Sequence, residues 1–170
     1  MSKQTAQIVR VGQLEGVKLI IKKIHNDGLQ ESVSIRNQGT VAQPMSGWIL
    51  ASIRGQLFYP FPDNLIFLPG MTVVVHSGRQ IQDQDRSIKI AQVDLFWTNE
   101  QVWNNRGDMA ILFDADGIEI DRYVYPHKRV MGSSAEHHKI LVRRSDGYQI
   151  IDAPVHQLVR TIRHTNTSTN

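Results

Sequence analysis

The chain is 170 residues long, and its pattern predicts an all-β protein of antiparallel strands, a sandwich or a barrel. Three observations carry that expectation. Short runs rich in β-branched and apolar residues recur at close intervals, separated by clusters of Gly, Pro, Asn and Asp. Where a run can be read face by face, it alternates with a period of two. No glycine-rich pattern follows a strand and opens a helix, and no heptad repeat marks a coiled-coil rod, so nucleotide-binding α/β folds and rods find no support.

Residues 1–13 read as an N-terminal arm or edge strand. Residues 17–24 (VKLIIKKI) and 31–37 (ESVSIRN) form a hairpin, because His25-Asn26-Asp27-Gly28 is turn chemistry. In the second strand Val33 and Ile35 face one way and Ser32, Ser34 and Arg36 the other. Further strands are expected at 47–53, 56–59, 71–76, 94–97, 109–114 and 118–125. Their separators are Arg54-Gly55, the 60–64 segment PFPDN, Leu68-Pro69-Gly70, Ser77-Gly78, the 104–108 segment NNRGD and Asp116-Gly117. Beyond a 127–136 linker, 139–144 and 148–151 read as two short strands turned by Ser145-Asp146-Gly147.

The period then changes. Ile151, Val155, Leu158, Val159 and Ile162 fall on one face of an α-helix near 153–164, with Asp152 as N-cap and Pro154 in the first turn. Arg160, Arg163 and His164 lie at its C-terminal end, where cations suit the helix dipole. The TNTSTN tail from Thr165 reads as a frayed polar end. The expected architecture is therefore a β-sandwich with a small C-terminal α/β extension.

Composition narrows the function classes. The chain is 41% hydrophobic and 21% charged, globular rather than disordered. Zero cysteines exclude a disulfide framework, thiolate metal sites and a cysteine nucleophile, and they favour a reducing compartment. No apolar run approaches the ~20 residues of a membrane span, and the first residues lack the apolar core of a signal peptide. A soluble, cytoplasmic protein is expected. The formal net charge of +3 is unevenly divided: residues 1–121 hold 11 Lys/Arg against 13 Asp/Glu, net −2, and residues 122–170 hold 8 against 3, net +5. The basic C-terminal part hints at an acidic partner.

The order Glu31-x-Val33-x-Ile35-x-Asn37, Ser46-Gly47-Trp48, Leu68-Pro69-Gly70, Ser77-Gly78, Leu95-Phe96-Trp97, Val102-Trp103-Asn104-Asn105-x-Gly107-Asp108 and Asp116-Gly117 resembles the lamin tail domain over residues 14–126. The resemblance implies an immunoglobulin-like sandwich used as an interaction module. It is the globular end of an intermediate-filament chain in animals and a companion of other modules in bacteria. The rod, the nuclear-import cluster and the prenylation motif of lamins have no counterpart here, so the chain looks more like a prokaryotic stand-alone version. The residues have physical roles of their own. Trp48, Trp97 and Trp103 are large groups for two sheets to bury, each with an N–H that needs a partner. Gly47, Pro69, Gly70, Gly107 and Gly117 punctuate turns, Asn104, Asn105 and Asp108 can bond nearby backbone, and Glu31 opens a strand opposite turn donors.

Motifs that promise chemistry are weak. Arg106-Gly107-Asp108 spells an adhesion tripeptide, but it lies inside a turn where Gly107 and Asp108 already have structural work. Asp83-x-Asp85 and Asp114-x-Asp116-Gly117-x-Glu119 fall short of a calcium loop. His137 and His138, adjacent on a strand, point to opposite faces. Ser133-Ser134 lacks an elbow and a base. The protein is expected not to be an enzyme and to need no cofactor, metal, membrane or small-molecule substrate. Its partner is expected to be a protein, a second copy included, through the apolar face Val155, Leu158, Val159 and Ile162. The alternative is a nucleic-acid-binding accessory protein using Lys128, Arg129, Lys139, Arg143, Arg144, Arg160 and Arg163.

Overall fold

The computed structural model describes residues 11–79, 91–126 and 137–154. Within them the chain is all strand, turn and loop. β1 (Leu19–His25) and β2 (Gln30–Asn37) make the expected hairpin. They are followed by β3 (Gln43–Pro44), β4 (Ile49–Ser52), β5 (Leu57–Pro60), β6 (Ile66–Phe67), β7 (Thr72–Gly78), β8 (Gln92–Thr98), β9 (Asp108–Phe113) and β10 (Glu119–Tyr125). A last hairpin joins β11 (His137–Arg144) to β12 (Gly147–Pro154).

Two four-stranded sheets result, one in the order β1-β2-β7-β8 and the other β10-β9-β4-β5. Neighbours are antiparallel except β7 and β8, which run parallel. The alternation read in β2 is the alternation observed: Glu31, Val33, Ile35 and Asn37 are buried, and Ser32, Ser34 and Arg36 face out. Leu19, Ile21, Val33, Ile35, Val73 and Val75 from the first sheet meet Leu50, Ala110 and Leu112 from the second. Trp48, Met45 and Phe67, all fully buried, complete this layer. The Trp48 indole N–H donates to Val11 O at 2.9 Å. Trp97 is only half-buried, packing at 5.5 Å from the Tyr59 ring and 6.0 Å from Trp103.

The second sheet is apolar on both faces. Ile49, Ala51, Ile111 and Phe113 point away from the first layer, yet each is fully buried. The β11–β12 hairpin covers them, with Leu141 buried among them and Ile150 and Tyr148 packed alongside. The Tyr148 ring lies 5.2 Å from Phe58. Gly117 permits the approach. Its φ is +82°, and a Cβ there would sit 2.1 Å from Leu141 O. In return the Leu141 N–H donates to Gly117 O at 2.9 Å.

This corrects the C-terminal reading. The described part of the extension is a β-hairpin and contains no helix. Asp152 and Pro154 are not a helix start; they are the end of β12. The ladder wins locally because Ile151 pairs with Ile140 and Asp152 with Lys139, whose Nζ donates to Asp152 Oδ1 at 2.6 Å. The stretch beyond Pro154 that the spacing predicts as helix, the arm before Val11 and the 127–136 linker lie outside the described residues. The β3–β6 pair was not foreseen, since two residues are too few to show a period.

One side of the sandwich is closed. β1 and β10 both carry a bulge, and the β1 amide of Ile21 donates to Asp121 Oδ2 on β10 at 2.7 Å. A carboxylate thus takes the place of a neighbouring strand. Among the described residues no helix is long and apolar enough to cross a membrane.

Candidate functional site

Glu31 is 1% exposed, at the start of β2. Its carboxylate accepts Ser77 Oγ at 2.8 Å, Val102 N at 2.7 Å and Trp103 N at 3.2 Å. The turn donors expected opposite it are therefore the amides of Val102 and Trp103. Together these bonds fasten the loop after β8 to the first sheet. The Trp103 indole N–H is buried without an acceptor among the described residues.

Asp108 does the same work for the second sheet. Its oxygens accept Ser52 Oγ at 2.7 Å, Arg54 N at 2.9 Å and Met109 N at 2.7 Å. The acid of Arg106-Gly107-Asp108 is thus turned inward, and an adhesion partner could not reach it. Gly107, at φ +127°, is confined as well, since a Cβ would lie 2.8 Å from Tyr125 O. Asn104 O accepts the Tyr125 hydroxyl at 3.1 Å and the Gly107 amide at 3.0 Å. Burial, with the Asp108 and Glu31 carboxylates adding to it, holds the Tyr125 phenol well above its ordinary pKa, so it stays a donor.

Asn37 Nδ2 donates to Val41 O and Phe67 O, both at 2.9 Å, and its Oδ1 accepts Gly39 N. Gln43, which sequence reasoning passed over, is fully buried and bonds Gly12 O, Pro44 O and Leu14 N. Asp114 Oδ1 caps the amides of Asp116 and Ile118. Glu119 pairs with Arg122 and accepts Lys139 N at 2.8 Å. Of the acids from Asp114 to Glu119, Asp114 is thus committed to backbone and Glu119 to backbone and arginine, while Asp116 is exposed. Asp83 and Asp85 lie outside the described residues, among which no group of three His, Cys, Asp or Glu could hold a metal.

Burial raises the Asp114 and Asp121 carboxyl pKa values above the ordinary range, against the lowering effect of the amides they accept. The sign for stability follows. A carboxyl whose folded pKa exceeds its unfolded one binds its proton more tightly when folded. Its contribution is fully present below the unfolded value and is lost as pH rises through the folded one. Asp121→Asn keeps an oxygen for the Ile21 amide and has no charge to desolvate. Its urea midpoint is expected to fall less than that of the wild type between mildly acidic and neutral pH; a larger fall would reverse the assignment.

The expected basic patch is not assembled by the described residues. Arg143 Nη2 bonds Gly47 O at 2.6 Å and its guanidinium lies 5.6 Å from the Tyr148 ring centroid. Arg144, on the opposite face of the strand, bonds Gln149 Oε1 at 2.9 Å. Lys139 is held by Asp152. Lys128, Arg129, Arg160 and Arg163, with the apolar Val155, Leu158, Val159 and Ile162, lie outside the described residues.

The fold also leaves some large apolar side chains exposed. On β6, Phe67 points inward while Ile66 and Leu68 are 52% and 54% exposed. Ile66 pairs with Pro44, and the Asn37 carboxamide draws Val41 beside Phe67 through their carbonyls. Ile66 and Leu68 therefore face outward from a short ladder beside the half-buried Pro44, while Val41, also exposed, packs toward Gly16. The signal of this pair in the sequence is the run Ile66-Phe67-Leu68, of which only Leu68 is read there, as part of a separator. A cleft of about 510 Å³ opens elsewhere, between Arg54, Gln101, Trp103, Asn104, Asn105 and Arg106.

No curated protein matches the chain significantly. The family model described as the Lamin Tail Domain matches residues 14–127, the span that holds both sheets and the carboxylates that tie them. That family is an immunoglobulin-like, non-enzymatic one of the interaction type. With its sheets, its Glu31 and Asp108 anchors and this match in agreement, the chain belongs to the lamin tail domain family.

Proposed function

We propose that the protein is a non-catalytic interaction module, an adaptor or assembly unit whose partner is another protein, a second copy included. One observation carries the reading: the exposed pair Ile66 and Leu68, beside Pro44, sits on a ladder whose other face, Gln43, Met45 and Phe67, is locked in the core. A rigid apolar strip in water is a contact surface. The polar side chains of the family motif support the same reading, because Glu31, Asn37 and Asp108 spend their hydrogen bonds on the fold itself. The absence of cysteine fits action in the reducing cytoplasm.

The test uses the full chain. Ile66→Glu and Leu68→Glu change exposed side chains, so cooperative unfolding is expected to persist. Losing one apolar anchor is expected to weaken association about tenfold in each variant, and the double variant about 100-fold or more. Light scattering reads self-association directly, and cross-linking followed by mass spectrometry reads a different protein partner. Association unchanged in both variants would overturn the assignment of this strip.

A further inference from the structure

The segment sum of −2 hides where the charges go. Glu31, Asp108 and Asp114 are buried, Asp121 serves the Ile21 amide, and Glu119 is spent on Arg122 and Lys139. The cations go the other way. Lys18, Lys22, Lys23 and Arg36 are exposed, and none of the four forms an ion pair among the described residues. The sandwich therefore shows water a more basic surface than its formula states.

Strand register gathers these cations on one face. Across the solvent side of the β1-β2-β7-β8 sheet, one row runs Ile20, Arg36, Thr72, Gln92. The next runs Lys23, Ser34, Val74, Asp94, and the third His25, Ser32, His76, Phe96. Lys22, the extra residue of the β1 bulge, lines with Arg36 a cleft of about 410 Å³ against Gln38, Gly39 and Gly70. Lys18 stands at the same corner, where its carbonyl accepts Gln38 N at 2.7 Å. The carboxylate on these rows, Asp94, is bonded by His76 Nε2 at 2.7 Å and by Gln92. Phe96 is 49% exposed in the row that also holds two imidazoles.

We infer that this face binds single-stranded nucleic acid. Cations at one corner meet phosphates, and the hydroxyls of Ser32, Ser34 and Thr72 between them can donate to phosphate oxygens. Phe96 at the opposite corner, with His25 and His76 in its row, supplies ring faces on which unpaired bases stack. Four strands at ~4.8 Å spacing make a platform about 15 Å wide, enough for a few nucleotides laid across it. An acidic peptide would use the cations but would leave the ring row without a role. The surface is distinct from the Ile66–Leu68 strip and from the Arg143–Arg144 hairpin, so it stands or falls separately from both.

Fluorescence anisotropy of the full chain with a labelled oligothymidylate tests it. Three to four neutralised phosphates predict that log K falls with log salt at a slope of about −2 to −3. Lys22→Glu/Arg36→Glu is expected to weaken binding more than about tenfold, and Phe96→Ala about tenfold. Both change exposed side chains, so the unfolding transition should be kept. Arg143→Ala/Arg144→Ala is expected to leave the affinity within about twofold. No binding at low salt, or unchanged affinity in Lys22→Glu/Arg36→Glu, would overturn the proposal. Loss in the Arg143→Ala/Arg144→Ala variant would move the site to the hairpin. Polyglutamate competing equally at the same charge concentration, with Phe96→Ala silent, would identify an acidic polypeptide as the ligand instead.

Discussion

Glu31→Ala is expected to lower the unfolding free energy by about 3–5 kcal/mol, leaving the protein barely folded. The size follows from what the carboxylate leaves behind. The amides of Val102 and Trp103 and the Ser77 hydroxyl would all lose their acceptor in a place water does not reach. Each orphaned donor costs about 1–3 kcal/mol, and the missing side chain adds a cavity. Two companion variants separate this from simple truncation. Ser77→Ala removes a single donor and should cost about 1 kcal/mol. Glu31→Gln keeps the shape but turns an NH₂ toward a site made of donors, so it should fall between the two. Urea unfolding followed by tryptophan fluorescence measures all three. A Glu31→Ala protein as stable as the Ser77→Ala one would show that the loop after β8 is held by something else.

Removing the C-terminal hairpin is the second large perturbation. The family match ends at residue 127, but the side chains that cover the outer face of the second sheet lie beyond it, on the β11–β12 hairpin. Truncation after Pro126 would bare Ile49, Ala51, Ile111 and Phe113, all fully buried in the intact chain. The shortened protein is expected to bind a hydrophobic dye and to lose monodispersity. A point change should do much the same. Leu141→Asp places a charge among those side chains and should cost at least about 3 kcal/mol or undock the hairpin. Gly117→Ala strikes the same joint from the other side, because a Cβ meets the Leu141 carbonyl oxygen at 2.1 Å. A truncated chain that stays monomeric and dye-silent would mean that the hairpin is dispensable.

Much of the sandwich is readable in the sequence because its signals are local. β2 shows its alternation within seven residues, and Asp116-Gly117 marks a turn by its own chemistry. Glu31 could be placed opposite turn donors because a carboxylate at a strand start has few other uses. Pairings over long separations were not readable. Nothing near Asp121 says that it will meet Ile21, and nothing near Gln43 says that it will reach Gly12. The helical spacing from Ile151 misled at its start. Local period and ladder pairing compete there, and the partner strand eleven residues back decides for strand through Ile140. Charge misled differently: segment sums count Glu31 and Asp108 as though they faced water.

The bond from Ile21 to Asp121 also sets where the sheets can recruit neighbours. With β1 and β10 facing one another, the outer strands among the described residues are β8 in one sheet and β5 in the other, on the same side of the molecule. A chain that grows by strand addition needs an acceptor rim on each flank. Here one flank is sealed, so edge-to-edge pairing is confined to the other flank and cannot run on through both sides of the molecule. Longer polymers would have to be built through faces rather than rims.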